Sequence, residues 1–474
     1  MKLYNTLTDQ IEELHFLKNT IRIYLCGVTV YDDCHIGHAR TIIVFDVLRR
    51  FFLSRNYQII FIQNFTDVDD KIINKAEVEQ TTYDIISEKY IKSYFKDFNA
   101  LNVLRATVYP KATEHIDDII DFINGLIKKN KAYVGLNGVY YKVKSFLSYG
   151  KLSKKMDESL EAGARIEIDE TKNDPRDFAL WKFSSKEPKW ASPWGPGRPG
   201  WHIECSAMAI KYLDNSIDIH GGGQDLIFPH HENEIAQSEG LFNIAFAKVW
   251  LHIGMVTIKS EKMSKSAGNT IKISELLKKI NPNIIRLFCL SSHYSKPLDY
   301  SDETITEIHN KWGQIENAYY ELTYRIDNNI GSNQNQNSTT IATFNYTVFK
   351  VECSGYLKEF ENFIEDDLNF SNALTCLFKF INKMNNIFST DIGNKELFLF
   401  SFELLEKFMF ILGLNINAIS EEEKDEIQKL IEKRNRFRNI KNYDESDKIR
   451  RELLNKFDIE LIDHRGFTVW KKIN

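Results

Sequence analysis

The chain has 474 residues, of which 43% are hydrophobic and 27% are charged, a composition typical of a globular protein with more than one domain. Its formal net charge of -5 excludes attraction of nucleic acid by the molecule as a whole, so a nucleic-acid partner would need a local basic surface. The N-terminus mixes charged and polar residues too finely for a signal peptide, and no apolar run approaches the roughly 18 residues of a membrane span, so we predict a cytoplasmic protein.

Strand and helix patterns alternate along the first part of the chain. Residues 21–27 are a short apolar run that predicts a buried strand, residues 36–55 carry apolar positions at helical spacing, and residues 57–66 return to strand character. Strand, helix and strand in this order predict a parallel sheet that binds ligands at the carboxyl ends of its strands. Further strands are predicted at 216–223 and 249–256, so two distant halves build the sheet.

The chain between these halves has a different pattern. Residues 133–143 predict a hairpin, residues 167–170 are acidic, and the sequence PWGPGRPG at 193–200 is typical of a loop. We interpret this part as an insertion into the sheet domain. From about residue 300 the apolar spacing becomes helical, and the polar segment 331–340 predicts a loop between two helices.

The sequence CHIGHAR at residues 34–40 lies between the first strand and its helix. A helix N-terminus attracts phosphate through its unpaired N–H groups and its dipole. His35 and His38 are one turn apart and can both face such an anion, while Gly37 lacks a Cβ and lets a flat ring approach. Taken alone, the motif is equally compatible with two polar residues that cap a helix.

The sequence KMSKS at residues 262–266 places Lys262 and Lys265 three residues apart, shortly before a glycine. Two such charges can stabilise the negative charge that develops when a phosphoryl centre is attacked. Taken alone, the stretch is more typical of a solvated lysine turn. In this order in one chain, however, the two motifs resemble the signature pair of class I aminoacyl-tRNA synthetases.

The stretch HGGGQDLIFPHHENE, residues 220–234, combines histidines, glycines and acids. His230 and Glu234 are spaced i, i+4, so on a helix they would share one face. Cys26 and Cys205 could add two thiols to a metal site. Spacing alone cannot connect residues from three distant segments, and by that criterion a polar helix face and two core thiols explain them better.

With YLCG before the first motif and WHIECS at 201–206, these sequences resemble the cysteinyl-tRNA synthetase family along the whole chain. The resemblance implies one zinc ion in the amino-acid pocket, held by Cys26, Cys205, His230 and Glu234. The preference of zinc for a thiolate would then distinguish cysteine from serine without an editing domain. The chain departs from the family at Val28, where proline is common, but this position is not an implied ligand.

The resemblance also implies roles for the other site residues. The amino-acid pocket would be lined by Thr66, Trp201, His220 and His231, although a supporting or surface position is an equal alternative for His231. ATP, carrying Mg2+, would bind at Gly37, Gly221, Gly222, Gly223, Asp225 and Lys265. The charge that develops as the cysteine carboxylate attacks the α-phosphate would be stabilised by His35, His38, Lys262 and Lys265.

The C-terminal part of the chain is locally basic. Residues 429–474 contain 13 Lys and Arg against 8 Asp and Glu. Basic side chains suit phosphates and aromatic rings suit unstacked bases, although a solvated helix face is an equal alternative for any single residue. By resemblance this is an anticodon-binding segment, with Arg436, Arg438 and Trp470 as the expected tRNA contacts.

We therefore expect an α/β fold: a Rossmann-like parallel-sheet catalytic domain with an insertion, an α-helical bundle and a small C-terminal anticodon-binding domain. The predicted boundaries are 1–110 and 201–300 for the two halves of the catalytic domain, 111–200 for the insertion, 301–415 for the bundle that contacts the tRNA stem, and 416–474 for the C-terminal domain.

The implied activity is the ATP-dependent activation of L-cysteine and its transfer to the 3' end of cysteine tRNA by a monomeric enzyme. Two alternatives remain open. A tRNA-independent cysteine ligase of the kind used in mycothiol synthesis shares the zinc pocket, but such proteins look shorter at the C-terminus. A non-catalytic zinc- and RNA-binding protein would need neither signature motif.

Overall fold

The computed structural model describes residues 1–16, 19–155, 172–215, 217–258, 261–262, 269–328, 345–390, 393–416, 421–463 and 468–472. Its backbone divides into two compact units. The first unit comprises Met1–Ile280, Cys289–Ser301 and Glu365–Asn369, and the second comprises Asn281–Phe288, Asp302–Ile364 and Phe370–Asn474. The predicted acidic run at 167–170 and the predicted loop at 331–340 lie outside the described residues.

Fourteen α-helices are described in this part of the chain. They are α1 (Ile36–Ser54), α2 (Asp70–Val78), α3 (Tyr83–Ala100), α4 (Ile116–Lys128), α5 (Trp201–Leu213), α6 (Glu232–Phe242), α7 (Ile273–Leu276), α8 (Pro282–Cys289), α9 (Asp302–Asp327), α10 (Tyr346–Glu365), α11 (Phe370–Thr390), α12 (Lys395–Leu412), α13 (Glu421–Asn439) and α14 (Tyr443–Phe457).

The described strands are mostly short. They are β1 (Lys2–Asn5), β2 (Gln10–Glu13), β3 (Thr20–Thr29), β4 (Gln58–Thr66), β5 (Ala132–Val134), β6 (Gly138–Tyr141), β7 (Phe178–Phe183), β8 (Gly197–Pro199), β9 (Ile217–Gly223), β10 (Ala247–Ile253), β11 (Val256–Ile258), β12 (Glu261–Lys262), β13 (Leu298–Tyr300), β14 (Ile459–Asp463) and β15 (Thr468–Lys472).

A four-stranded parallel sheet forms the centre of the first unit. Its strand order is β10-β9-β3-β4, and all three strand pairs are parallel. The predicted strand–helix–strand start and the assembly of the sheet from two distant halves are therefore confirmed. Because the strands run in one direction, the ends of β3, β4 and β9 meet at one edge, where Gly221 pairs with Leu25, the residue before Cys26, and Thr66 pairs with Thr29.

The pairing of β3 with β4 is irregular beside this edge. The register shifts between Leu25 and Val28, and the backbone N–H of Gly27 donates to Oδ1 of Asn64, 2.9 Å away. The departure at Val28 thus falls within a paired strand, where Val28 lies opposite Phe65. Asn64, a buried polar residue of β4, becomes part of the sheet edge.

The insertion forms an antiparallel sheet of its own, in the order β5-β6-β7-β8. The predicted hairpin at 133–143 is confirmed as the β5–β6 pair. The prediction of a loop over the whole of 193–200 was wrong, because Gly197–Pro199 is strand β8, which pairs with Trp181–Phe183 of β7. Trp181 is fully buried in a core that this sheet shares with α4 and α5.

The second unit is helical. The rings of Phe360 and Phe380 pack against Phe408, with centroids 5.0 and 5.6 Å apart, and Arg325 donates to Glu321 and to the carbonyl of Phe388 within this core. At its C-terminal end, α13 and α14 pack with the β14–β15 hairpin around a separate small core. Among the helices described, none is long and apolar enough to span a membrane.

Gly413 ends α12 in a conformation that glycine favours, with a φ of 68°. A Cβ at this position would lie 1.9 Å from Nη2 of Arg286, a buried guanidinium that donates to the carbonyl of Leu412. We expect Gly413→Ala to lower the free energy of unfolding of the helical unit by about 2 kcal/mol or more, because both backbone strain and a clash result. The measurement is the urea unfolding midpoint.

Gly355→Ala is the matched control. Gly355 lies inside α10, where an added Cβ would meet no described atom within 4 Å. This substitution is expected to stabilise the unit by about 0.5–1 kcal/mol through helix propensity alone. Equal shifts of both midpoints in the same direction would contradict the explanation for Gly413.

Candidate active site and metal centre

Four metal-ligating side chains converge beside the carboxyl ends of the parallel strands. Cys26 lies near the end of β3, Cys205 lies in α5, His230 lies in a π-helical turn at Ile227–His231, and Glu234 lies in the first turn of α6. Their ligand atoms all lie within 4.8 Å of one another, and all four residues are buried. The structure thus brings together the four residues that the resemblance implied, and this group could hold a metal ion.

The pair His230 and Glu234 shares a face, as its spacing predicted, but not on one continuous helix. The chain has a non-helical conformation at Phe228, and α6 begins only at Glu232. Nε2 of His230 nevertheless lies 3.2 Å from Oε1 of Glu234. The turn before α6 therefore brings the imidazole of His230 next to the carboxylate of Glu234, although the two residues do not belong to one continuous helix.

The four groups perturb one another strongly because they share a buried space. A hydrogen bond from the Cys26 thiol and the charge of His230 lower the pKa of Cys205 to about 6. Burial opposes the charge of His230, yet Cys205 and Glu234 raise its pKa to about 10. The pKa of Glu234 lies well below its usual value because His220 and His230 overcome the effect of burial. The positive charge of His230 thus compensates the negative charges of Cys205 and Glu234, a role that a metal cation could also take.

Further histidines surround the four donors. Nε2 of His220 donates to Oε2 of Glu234 over 2.9 Å, which leaves Oε1 directed at Cys26 and His230. Nε2 of His231 lies 3.3 Å from the sulfur of Cys26, and its Nδ1 lies 2.7 Å from Nε2 of His252. His220 and His231 thus contact the cluster directly and form, with Cys26, a second group of close ligand atoms.

Two neighbours of the cluster were missed by the sequence analysis. Oδ1 of Asn64 lies 3.6 Å from the sulfur of Cys205. His202 faces His230, with their Nδ1 atoms 3.0 Å apart, and burial together with His230 holds the pKa of His202 well below its usual value. For Asn64 the only available signal was a polar residue inside a strand pattern, and for His202 it was a histidine three residues before Cys205.

Two other residues were implied for the amino-acid pocket, Trp201 and Thr66. The ring of Trp201, which is 37% exposed, lies against His230 with centroids 4.5 Å apart. Thr66 is buried at the end of β4. The structure therefore places the partly open ring of Trp201 beside the cluster, and Thr66 at the end of the strand that neighbours β3.

Glu232, in the HHENE sequence, serves a different purpose from Glu234. Its buried carboxylate accepts hydrogen bonds from the backbone N–H groups of Gly150, Leu152 and Ser153 over 2.8, 3.1 and 2.8 Å. One glutamate of this sequence therefore belongs to the ligand cluster, while the other fixes the loop that follows the β5–β6 hairpin.

His35 and His38 cap the N-terminus of α1. Nδ1 of His35 accepts the backbone N–H of Gly37, and Nδ1 of His38 accepts the backbone N–H of His35, each over 3.2 Å. The two rings stack with centroids 3.7 Å apart. Since each neutral imidazole carries one proton, both rings are protonated at Nε2, which can donate to an anion. The cap and the anion-site interpretations are therefore compatible.

The segment after KMSKS is joined to the segment before the helix of His35 and His38. The N–H of Ile36 donates to the carbonyl of Ile271, and the N–H of Ile273 donates to that of Cys34. Nζ of Lys272 lies 3.2 Å from carboxylate oxygens of both Asp32 and Asp33.

The KMSKS sequence itself is described only at its first residue. Lys262 belongs to the short strand β12, which pairs with β11. The predicted position of Lys265 lies outside the described residues, as does the rest of 263–268.

The glycine run is packed mainly by the protein itself. A Cβ on Gly221 would lie 2.2 Å from the carbonyl oxygen of Leu251, and one on Gly222 would lie 2.8 Å from the side chain of Leu226. At Gly223 the near atoms belong only to the carboxylate side chain of Asp225, which is exposed. Gly223 is therefore the glycine of this run that the rest of the protein encloses least, and Asp225 beside it is exposed.

The expected tRNA contacts lie in the second unit. Arg436 is exposed, whereas Nη1 of Arg438 lies 2.6 Å from Oδ2 of Asp463. Trp470 is half-buried, because its ring packs beside the C-terminal core and lies 6.0 Å from that of Tyr320. Packing accounts for much of the surface of Trp470.

Comparison with known proteins gives a consistent result. The family described as tRNA synthetases class I (C) catalytic domain matches residues 12–310. A cysteine–tRNA ligase of Caldicellulosiruptor saccharolyticus is 47% identical over 457 residues, which are 96% of this chain and 96% of that protein. A cysteine–tRNA ligase of Thermodesulfovibrio yellowstonii is 44% identical over 499 residues and covers 100% of both chains.

Solved structures confirm the predicted fold class. Methionyl-tRNA synthetase of Mycobacterium tuberculosis, in complex with methionyl-adenylate, matches with a TM-score of 0.60 at 15% identity, and the match covers 83% of this chain and 89% of that chain. At this identity the similarity concerns the fold alone.

The two glutamates of HHENE can be separated experimentally. We expect Glu232→Gln to increase amide exchange at Gly150, Leu152 and Ser153 by about tenfold or more, because the amide group offers one acceptor oxygen instead of two. Glu234→Gln is the matched comparison, and it should leave exchange in this loop unchanged. Hydrogen–deuterium exchange with mass spectrometry measures both. Unchanged protection of the loop in Glu232→Gln would contradict the assignment.

Proposed function

This chain belongs to the cysteine–tRNA ligase family of class I tRNA synthetases, and from that premise we propose how its own residues carry out the reaction. The enzyme activates L-cysteine with ATP and transfers it to cysteine tRNA. The observation that carries the assignment to residues is the burial of two thiols, an imidazole and a carboxylate within 4.8 Å of one another, at the sheet edge from which β3 leads to His35 and His38.

We assign a zinc ion to Cys26, Cys205, His230 and Glu234. Two sulfur ligands with one nitrogen and one oxygen suit this metal, and the separation of the atoms suits a single ion. When bound, zinc would supply a borderline-soft Lewis acid that favours a thiolate over a hydroxyl, and this preference would account for discrimination against serine. Trp201, His220 and His231 border the site and, together with Thr66 at the end of β4, would shape the remainder of the amino-acid pocket.

The nucleotide would bind beside the start of α1. The Nε2–H groups of His35 and His38, together with the helix N-terminus, can donate to phosphate oxygens. Lys262 and Lys265 would add positive charge, and Mg2+ would arrive with the ATP phosphates. Gly37 would allow close approach of the nucleotide.

Gly223 and Asp225 offer an open position for the ribose, since the Asp225 carboxylate can accept from its hydroxyl groups. Gly221 and Gly222 would contribute indirectly, because they allow the packing that forms this edge.

In the first step a carboxylate oxygen of cysteine attacks the α-phosphorus of ATP, and the bond to the leaving pyrophosphate breaks. In the second step a hydroxyl of the terminal ribose of tRNA attacks the carbonyl carbon, AMP leaves with the bonding electrons, and the hydroxyl proton passes to solvent. The protein contributes alignment of the reactants and donors for the developing charge.

The basic C-terminal segment would bind the anticodon end of the tRNA. Exposed Arg436 suits a phosphate. Arg438 would have to share its guanidinium with Asp463, and Trp470 would present only the part of its ring that packing leaves open. The five predicted domain segments, the monomeric state and the cytoplasmic location are part of the same proposal.

Removal of one thiol tests the metal assignment. We expect the Cys205→Ala variant to bind no zinc and to activate cysteine about 100-fold or more slowly, because one of the four proposed metal ligands is removed. Cys353→Ala is the control, since Cys353 is an equally buried thiol of the helical unit. Its zinc content should match that of the unsubstituted enzyme. The zinc content per protein molecule is measured by inductively coupled plasma mass spectrometry. One zinc ion per molecule of the Cys205→Ala variant would refute the assignment.

Cysteine-dependent exchange of pyrophosphate with ATP, followed by charging of cysteine tRNA, tests the activity. Exchange without tRNA, charging with tRNA and little response to serine are expected. Exchange without charging would favour the tRNA-independent ligase, and the absence of both activities would favour the non-catalytic protein.

His38→Ala should lower the exchange rate by about 100-fold or more while the zinc content is retained, because a donor to the developing charge is removed.

A further inference from the structure

We propose that His202 is a positioning residue for the metal ligand His230: it accepts the Nδ1 proton of His230 and thereby directs Nε2 of that ring at the metal. The inference rests on the metal assignment proposed above. It adds a residue that neither the spacing of the motifs nor the implied ligand set identifies.

The geometry around His230 separates the roles of its two ring nitrogens. Nε2 lies 3.2 Å from Oε1 of Glu234, on the side of the four-donor cluster. Nδ1 lies 3.0 Å from Nδ1 of His202. A ligating nitrogen must present a lone pair, so a neutral His230 that binds metal through Nε2 carries its proton on Nδ1. Only the lone pair of His202 Nδ1 can then complete the hydrogen bond between the two rings.

His202 is itself held firmly in this orientation. Its ring lies edge-on to Phe178 at 5.8 Å and against Trp201 at 5.0 Å between centroids. Its carbonyl accepts from Nε2 of Gln237, which also donates to the hydroxyl of Ser206. Gln237 therefore joins α6, the helix of Glu234, to α5.

Helix α5 supplies two groups to the site at helical spacing. Cys205 follows His202 by three residues, so the two side chains stand one turn apart on neighbouring positions of one face. One helix thus contributes a ligand and the partner of another ligand. The orientation of His230 is in this way coupled to the position of Cys205.

Zinc affinity measured by chelator competition tests the proposal with three variants. His202→Leu removes the acceptor, and we expect an affinity about 10–100-fold lower than in the unsubstituted enzyme. His202→Asn keeps an oxygen near the position of Nδ1, and its affinity should stay within about threefold. His115→Leu is the control, because His115 is another buried histidine with two hydrogen bonds, to the carbonyl of Lys111 and the hydroxyl of Tyr212, away from the cluster.

Cobalt provides a readout other than activity. In the Co2+-substituted enzyme, the visible absorption of His202→Leu should shift in position and intensity, since the imidazole ligand is no longer fixed. The spectra of His202→Asn and His115→Leu should match that of the unsubstituted enzyme. Unchanged affinity and spectrum in His202→Leu would overturn the proposal, and so would equal losses in His202→Leu and His202→Asn.

A measurement on the unsubstituted zinc enzyme does not depend on the folding of any variant. Selective 15N labelling of histidine reports the protonation of each ring nitrogen. A proton on Nδ1 of His230 and none on Nδ1 of His202 is the expected result, and the reverse would overturn the proposal. If the unsubstituted enzyme binds no zinc, the metal assignment itself fails, an outcome distinct from normal zinc binding by His202→Leu.

Discussion

The candidate active site depends on keeping ionisable side chains close together in a buried core. Cys26 and Cys205 belong to the same buried apolar cluster as Trp250, and Glu234 is fully buried beside them. Charges in such a place are tolerated only when opposite charges and hydrogen bonds compensate them. The perturbed pKa values of Cys205, His230 and Glu234 express this mutual compensation. A divalent cation fits the same requirement, because it can balance several negative donors at one point.

The parallel sheet makes this arrangement compatible with phosphate chemistry. Strand β3 carries Cys26 near its end and then leads, through a short loop, to the capped start of α1. The connection between β3 and α1 therefore joins a thiol of the four-donor cluster to a helix start that can accept an anion. The hydrogen bonds of Ile36 and Ile273 to the opposite segment bring the residues that follow KMSKS to the same place. The four-donor cluster and the start of α1 thus lie at one edge of the sheet, which is where open parallel sheets generally bind their ligands.

Local pattern was enough for the elements of the sheet, since β3, α1, β4 and β9 all fall where apolar periodicity predicted them. It was not enough for the ligand cluster, which was identified through family resemblance, because spacing cannot report contacts between distant segments. For the same reason Asn64 and His202 were missed. Strand β8 was missed because a sequence rich in proline and glycine is typical of a loop. At the edge of the sheet, however, these residues pair with β7 and form a strand despite their preference for loops.

The combination of glycines and histidines at 220–234 follows from the same need for a compact core. Opposite β9, the backbone of β10 approaches so closely that a Cβ on Gly221 would meet the carbonyl of Leu251 and the ring of Phe45. Because glycine has no side chain, the two strands can lie this close together. The adjacent His220 then stacks on Trp250, with ring centroids 4.3 Å apart, while it donates to Glu234. A larger residue at Gly221 would push the strands apart and withdraw His220 from Glu234. Gly221 therefore affects the four-donor cluster through packing, although it supplies no ligand atom.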